Sequence, residues 1–449
     1  MKTAMILFMS LTLATCAFAD TGTTSPIDLN LAAQYFHELK TISDNDAGHL
    51  WGVTLYGPTI FVDPNTRTVV ANQMNNGHSL TPDHGAFVGT LDKNINISNT
   101  AAEWSGTTWT MINWYALSPT DQYDRDRLLV HESWHRIQNE IGIPGVTTAN
   151  AYLDHGDGRI YLILEFRAIR HALLAAEPAA RSEAIDDALT FRLYRQSLHT
   201  GNNENAFERH EGMAEYTGLK LCGLPDSLLI RIAAKKLELG ENNDGLANSF
   251  AYLTGSALGL LLDDYKFDWR TQLRDGKDLP ALLSQATGWH APEGDNQLKH
   301  AADSLGRKYG EAEVVADVTA RDKEQQQTVD SFRDRLTTHG RLFIPNVNVR
   351  FSFNPMEKLV PFDTIGVIYN TMRLSGDFGV LEASDGILRS NNWKYFIAVA
   401  PDSTAVDSVA RSVETAGSHP IEWPGYRLDL NPGWHLTPDS SGTYVIERE

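Results

Sequence analysis

Two changes of hydrophobic period divide this chain. Residues 20 to about 117 read mostly as short strands and turns, 118 to about 340 read as helices, and beyond 341 the strand pattern returns. A pleated strand repeats every two residues and a helix every 3.6, so a stretch patterned for one cannot bury its apolar face as the other. The chain is therefore expected to be α+β, with strands and helices segregated along the sequence. The expected divisions are a leader over 1–19, a β-rich N-terminal region over 20–117, a helical region over 118–340 and a C-terminal β-rich module over 341–449.

The leader has its own signature. Met1-Lys2-Thr3 is positive, residues 4–18 are almost all apolar or small, and Ala17-Phe18-Ala19 fits a small-x-small cleavage site. An export signal is expected, which places the mature chain in a periplasmic or extracellular setting. The alternative, a lipid anchor at Cys16, fits less well because Thr15 precedes the cysteine. Loss of Lys2 takes the net charge from −19 to −20 and leaves Cys222 as the one cysteine. No internal disulfide can then form, and a Cys-rich structural zinc site is excluded. The acidic excess, 57 Asp+Glu against 38 Lys+Arg, argues against sequence-independent nucleic-acid binding. No later stretch approaches about eighteen apolar residues, so no transmembrane segment is expected.

In the N-terminal region, Leu50 to Leu55, Thr59 to Val62 and Thr68 to Ala71 read as strands, the last two joined by the turn cluster Asp63-Pro64-Asn65-Thr66. Thr107 to Trp114 reads as a strand at a sheet edge, where an extended peptide can add. Ser118-Pro119 is expected to start the first long helix, and Gly142 and Pro144 to stop it. Val130, Trp134, Ile137 and Ile141 form its apolar stripe. Further helices are expected over 159–176, 179–199, 203–222, 246–265 and within 296–339. The stretch Ala320 to Arg335 is charged nearly all round and reads as a surface or connecting helix.

The first helix carries His131-Glu132-Ser133-Trp134-His135, an H-E-x-x-H. Residues four apart share a helix face, so His131 and His135 can reach one metal ion. Glu132 is then placed to take a proton from water at that ion. A catalytic zinc needs a third protein ligand and an exchangeable position. The metzincin extension is absent, since Gln138 and Ile141 stand where Gly and His are required. The preferred third ligand is Glu211, in His210-Glu211-Gly212-Met213-Ala214-Glu215-Tyr216. Gly212 and Ala214 are small enough for this helix to approach the first closely. Glu215, one turn on from Glu211, can orient a ligand histidine. Glu165, Asp154 and His155 are weaker candidates. For Glu165 an ion pair with Arg167 or Arg192 is expected instead.

These two helices together resemble the gluzincin zinc metallopeptidases, the thermolysin and M1-aminopeptidase type, in which a Glu on a second helix completes the zinc site. The departures are His210 in place of a usual Asn and a gap of 75 residues between His135 and Glu211, longer than the family's. The resemblance spans about residues 105–265. It implies a helical catalytic unit holding Zn²⁺ on His131, His135 and Glu211, with Glu132 as general base and a peptide or protein substrate. It also implies a tyrosine donor to the developing oxyanion, for which Tyr252 is the first candidate and Tyr216 the second. No Gly-x-Met-Glu-Asn segment is present upstream to bind a free amino terminus. The alternatives are a non-catalytic periplasmic binding or scaffold protein, or a related hydrolase acting on a non-peptide amide or ester.

Overall fold

The computed structural model describes residues 27–92, 95–147, 150–353, 357, 359–362, 364–401, 420–439 and 443–448. The leader over 1–19, with Cys16, lies outside the described residues. The α+β expectation holds: a six-stranded sheet, then helices, then two strand-rich sheets.

The N-terminal region, expected to be mostly strands and turns, also contains a long helix. It opens with a helix, α1 (Leu29–Asp46), capped by Asp28, whose carboxylate accepts from the backbone N–H groups of Asn30 and Leu31. Ala32, Tyr35, Phe36 and Leu39 follow the i, i+3, i+4, i+7 spacing and are buried. The run Leu50 to Leu55 is turn and coil, not strand. Its Trp51 is buried as a plug, with the indole N–H donating to Thr217 Oγ1 at 2.9 Å.

Six strands follow: β1 (Thr59–Val62), β2 (Thr68–Ala71), β3 (Thr81–Asp83), β4 (Ala86–Thr90), β5 (Thr100–Trp104) and β6 (Thr107–Asn113). Their order is β3-β4-β2-β1-β6-β5. The expected hairpin is β1–β2, with Phe61 opposite Val70. β6 runs parallel to β1 and antiparallel to β5, so the sequence's edge strand is in fact interior, and β5 holds the edge. The reason is legible in burial: Trp109 and Met111 enter one apolar cluster and Ile112 another, and a strand buried on both faces belongs inside a sheet. The same alternation puts Ile60 and Val62 on the outer face and Phe61 against the helices, where it stacks on Phe36 with ring centroids 4.4 Å apart.

The helical region contains α2 (Gln122–Ile137), α3 (Gly156–Leu174), α4 (Pro178–Leu198), α5 (Glu204–Phe207), a π turn (Glu208–Gly212), α6 (Met213–Leu221), α7 (Asp226–Gly240), α8 (Leu246–Leu262), α9 (Trp269–Arg274), α10 (Leu279–Thr287), α11 (Asp295–Lys308) and α12 (Glu311–Thr338). One large core joins α1, the inner sheet face and these helices. Val314 and Val318 of α12 belong to that core, whereas Val329, Phe332 and Leu336 belong to the C-terminal one. The charged stretch 320–335 is therefore a connecting helix, as its composition suggests.

Beyond it lie β7 (Arg341–Pro345), β8 (Arg350–Ser352), β9 (Val360–Phe362), β10 (Gly366–Tyr369), β11 (Met372–Gly376), β12 (Gly379–Ala383), β13 (Ile387–Ser390), β14 (Tyr395–Val399), β15 (Ile421–Trp423), β16 (Tyr426–Leu430), β17 (Trp434–Pro438) and β18 (Tyr444–Arg448). They form sheets ordered β17-β18-β7-β14-β13-β10-β9 and β15-β16-β12-β11-β8. Ile344 and Phe396 of the first and Leu374 and Leu428 of the second share one core. No helix among the described residues is long and apolar enough to cross a membrane.

Candidate metal centre

The site is built on α2. Its cap is Asp121, whose carboxylate accepts from the Asp124 N–H at 3.1 Å. The helix therefore starts after the expected Ser118-Pro119. Ser118 instead organises the preceding turn, its Oγ accepting from the Asp121 N–H at 3.0 Å. Val130, Trp134 and Ile137 are buried in the large core and anchor the helix, which ends at Ile137 rather than at the expected Gly142, and Ile141 in the following turn joins the same core. Beside it His131, Glu132 and His135 are 4%, 4% and 7% exposed, so all three are buried.

The expected helix over 203–222 is three pieces: α5, the π turn and α6. In the π turn the Met213 N–H bonds back five residues to the Glu208 carbonyl. This wider turn presents Glu211. Its Oε2 lies 3.7 Å from His131 Nε2 and 3.4 Å from His135 Nε2, and the two Nε2 atoms are 3.2 Å apart. His131, Glu132 and His135 form one group able to hold a metal ion, and His135, His210 and Glu211 another.

The close approach expected of Gly212 exists, but its partner is α8 and not α2. A Cβ on Gly212 would stand 2.7 Å from Gly255 Cα and 2.8 Å from the Ala251 carbonyl oxygen. The approach to α2 is made by Gly218, where a Cβ would stand 2.5 Å from the Arg127 carbonyl oxygen. Glycine is required at both crossings because backbone meets backbone.

The outer nitrogens of both histidines face acceptors. His131 Nδ1 lies 3.2 Å from Glu215 Oε2, and His135 Nδ1 lies 3.0 Å from Gln138 Oε1. An acceptor at Nδ1 requires the proton there and leaves the Nε2 lone pair pointing inward. Glu215 is itself held by Arg127 Nη1 at 2.8 Å and Lys236 Nζ at 2.6 Å. Burial raises the Glu215 carboxyl, but Arg127, Lys236 and His131 outweigh it and hold it well below the usual range.

The two Nε2 atoms and the Glu211 oxygen lie within 3.7 Å of one another, an arrangement that needs positive charge among them, either a proton on His131 or a metal ion. Burial opposes charge on His131, yet Glu211 and Glu215 push its pKa up to about 9. Burial likewise opposes charge on Glu211, and the two histidines hold its carboxyl far below normal. Glu132 differs. Burial raises its carboxyl against the pull of His131 and His135, and its buried Oε2 has no hydrogen-bond partner. A buried carboxylate oxygen without a protein partner is costly unless water or a ligand meets it.

The two tyrosines separate. The Tyr252 ring lies parallel to the His131 ring, tilted by 4° with centroids 5.7 Å apart. Burial and then the neighbouring Glu211 raise its hydroxyl well above the usual value. Tyr216, by contrast, donates to Asp263 at 2.9 Å and meets Arg270, with its ring against Trp269. The Tyr216 hydroxyl is thus engaged by Asp263 and Arg270, whereas Tyr252 is the tyrosine whose ring lies against His131.

The weaker candidates are also engaged elsewhere. Asp154 accepts from the Ala247 N–H at 2.8 Å. Glu165 pairs with Arg192 and Arg195, each at 2.6 Å, while Arg167 pairs with Glu241. His155 precedes α3 and holds no place in either group. Two residues were missed by the sequence reading. Gln138 follows His135 by three positions, a neighbouring site on the helix surface, which was signal enough. His210 lies with its ring edge-on to His135, centroids 5.0 Å apart, and its Nδ1 lies 3.0 Å from the Val146 carbonyl oxygen.

Comparison of the chain with protein-family models, with curated proteins and with solved structures finds no match.

The donor set fits zinc. Ligand atoms about 2.0–2.1 Å from a tetrahedral centre stand roughly 3.3–3.4 Å apart. The three observed separations, 3.2, 3.4 and 3.7 Å, surround that value. Two imidazoles and one carboxylate leave a fourth position, the ligand count of a site that exchanges water. Calcium and magnesium favour all-oxygen shells, whereas imidazole donors suit zinc and other transition metals.

Proposed function

We propose that this chain is an exported zinc-dependent hydrolase of the gluzincin type, a metallopeptidase that cleaves peptide bonds. The observation that carries the reading is the triangle of His131 Nε2, His135 Nε2 and Glu211 Oε2 beside the unpartnered Glu132 Oε2. A site serving only to hold a metal has no use for a buried carboxylate without a partner; a hydrolytic site needs one.

His131, His135 and Glu211 would hold Zn²⁺, which supplies Lewis-acid polarisation of a carbonyl and of water. Glu132 accepts a proton from the attacking water and returns it to the departing amine. Its raised carboxyl pKa, caused by burial, suits a group that must both take and give a proton. Glu215 and Gln138 keep the Nδ1 protons in place and so hold each Nε2 lone pair inward. Tyr252, parallel to His131, donates a hydrogen bond to the oxygen that gains charge as the carbonyl is attacked. In this reading the helical region 118–340 is the catalytic unit, the sheet of 20–117 supports it, and the β-rich module 341–449 is an accessory part.

The test is hydrolysis of an unstructured protein such as casein by zinc-loaded wild type and Glu132→Gln. The reading expects cleavage by the wild type and loss of about 10²–10⁴-fold in kcat in the variant, with zinc retained. Equal rates in the two proteins would overturn the role of Glu132.

A further inference from the structure

Behind the candidate site lies a second buried cluster that the hydrolytic reading does not use. Arg192 and Arg195 of α4 meet Glu165 of α3, Glu204 of α5 and Glu208 of the π turn, and all five side chains are 0–2% exposed. Arg192 grips Glu208 with both terminal nitrogens, Nη2 to Oε1 at 2.6 Å and Nη1 to Oε2. Its Nε donates to Glu165 at 2.7 Å. Thr254 of α8 donates to Glu208 Oε1 as well. Burying five charges is unfavourable unless their geometry is well matched, and apolar packing could join these helices at lower cost. The cluster therefore calls for a role beyond adhesion.

Its position supplies one. Glu208 opens the π turn and Glu211 lies within it. On an α-helix, residues three apart are only about 60° apart around the axis, so the two carboxylates would share a face. The wider turn separates them. Glu208 faces Arg192 and Thr254, and Glu211 faces His131 and His135. A π turn is rare and needs something to keep it from relaxing to an α turn. The Gly212–Gly255 contact closes it on one side, where a Cβ on Gly255 would also stand 3.3 Å from the Glu208 carbonyl oxygen.

We propose that the Arg192–Glu208–Thr254 clamp holds this π turn and thereby sets Glu211 at metal-binding distance from the two histidines. Glu208, Arg192 and Thr254 are positioning residues; none touches the metal donors. The inference rests on the metal reading above and extends it.

The test uses the full chain and two readouts, Zn²⁺ affinity by competition with a chelator and the visible spectrum of the Co²⁺-loaded protein. Glu208→Gln takes the cluster from two arginines and three glutamates to two of each, so no arginine is left without a carboxylate. It is expected to weaken Zn²⁺ binding by about 10–100-fold and to change the Co²⁺ spectrum, as loss of an outer partner does. Thr254→Val is expected to follow in the same direction and Thr254→Ser to restore wild-type values. Asp187→Asn is the control. It breaks a different buried contact, with Lys308 and Tyr309, and is expected to leave both readouts unchanged. If wild type binds metal and both Glu208→Gln and Thr254→Val match it, the clamp inference fails alone. If wild type binds no metal, the metal reading fails with it. Should Glu208→Gln not fold, the Thr254→Val and Thr254→Ser pair decides.

Discussion

Gly212→Ala tests the packing that carries Glu211. The added Cβ would stand 2.7 Å from Gly255 Cα and 2.8 Å from the Ala251 carbonyl oxygen. Carbon atoms pack at about 3.5–4.0 Å, so the π turn and α8 must part by about 1 Å. The opposing atoms are backbone and cannot rotate away, which places the overpacking cost at the upper end of the usual range, about 3 kcal/mol. Alanine's better helix propensity offsets about 1 kcal/mol of that. The net loss of about 2 kcal/mol corresponds to a fall in Tm of roughly 4–8 °C for a unit of this size. Because Glu211 is the adjacent residue, a shift of about 1 Å also moves it off the histidines, and a displacement of that size costs about 10²-fold at a site. Thermal unfolding of the metal-free variant and Zn²⁺ titration measure the two effects. A Gly212→Ala protein as stable as wild type, with the same zinc affinity, would refute the close crossing and its role.

Three further outcomes follow from the site. Tyr252→Phe is expected to lower kcat by about 10²-fold with zinc binding intact, as loss of one oxyanion donor does, whereas Tyr216→Phe strands Asp263 and Arg270, lowers stability by about 1–3 kcal/mol and leaves kcat unchanged when folded; steady-state kinetics beside thermal melts separate the two. Glu215→Gln removes the anion shared by His131, Arg127 and Lys236, and a chelator titration should show zinc affinity reduced about 10–100-fold. Asp126 is the pH probe: burial, then Glu38, raise its carboxyl to about 6 from 3.8. A folded pKa above the unfolded one means stability is full below about pH 4 and falls as pH rises through about 6. The full linkage is about 3 kcal/mol, and solvent screening at the carboxylate reduces it to roughly 1–2 kcal/mol. Asp126→Asn should therefore melt higher than wild type at pH 7.5 and alike at pH 4.

Much of this was legible in the sequence, and the failures have physical causes. The α2 stripe and the H-E-x-x-H share one helix, so local periodicity alone placed His131, Glu132 and His135. Glu211 was found because small residues beside a carboxylate signal a close crossing. The crossing partner was misassigned, since nothing in the sequence distinguishes α2 from α8 as the neighbour of Gly212. The helix α1 was overlooked although Ala32, Tyr35, Phe36 and Leu39 carry its period, because the adjoining β-branched runs dominated the reading. The π turn leaves no local mark: the 203–222 pattern is helical throughout, and only the tertiary partners of Glu208 and Glu211 show that the turn is widened. The sequence ranks Tyr252 ahead of Tyr216, and in the structure the Tyr252 ring lies beside His131 while the Tyr216 hydroxyl is bonded to Asp263. The Thr107–Trp114 edge expectation failed because a strand with two apolar faces attracts a partner on each side.

The central claim is that His131, His135 and Glu211 together make one zinc site. Metal content by mass spectrometry, with Zn²⁺ affinity by competition, on wild type and Glu211→Ala tests it most directly. The account predicts about one zinc per wild-type chain and binding weakened by at least 10²-fold in the variant, as removal of one of three protein ligands requires. Wild-type protein that takes up no zinc when it is offered, or a Glu211→Ala variant that holds zinc as tightly as wild type, would contradict it.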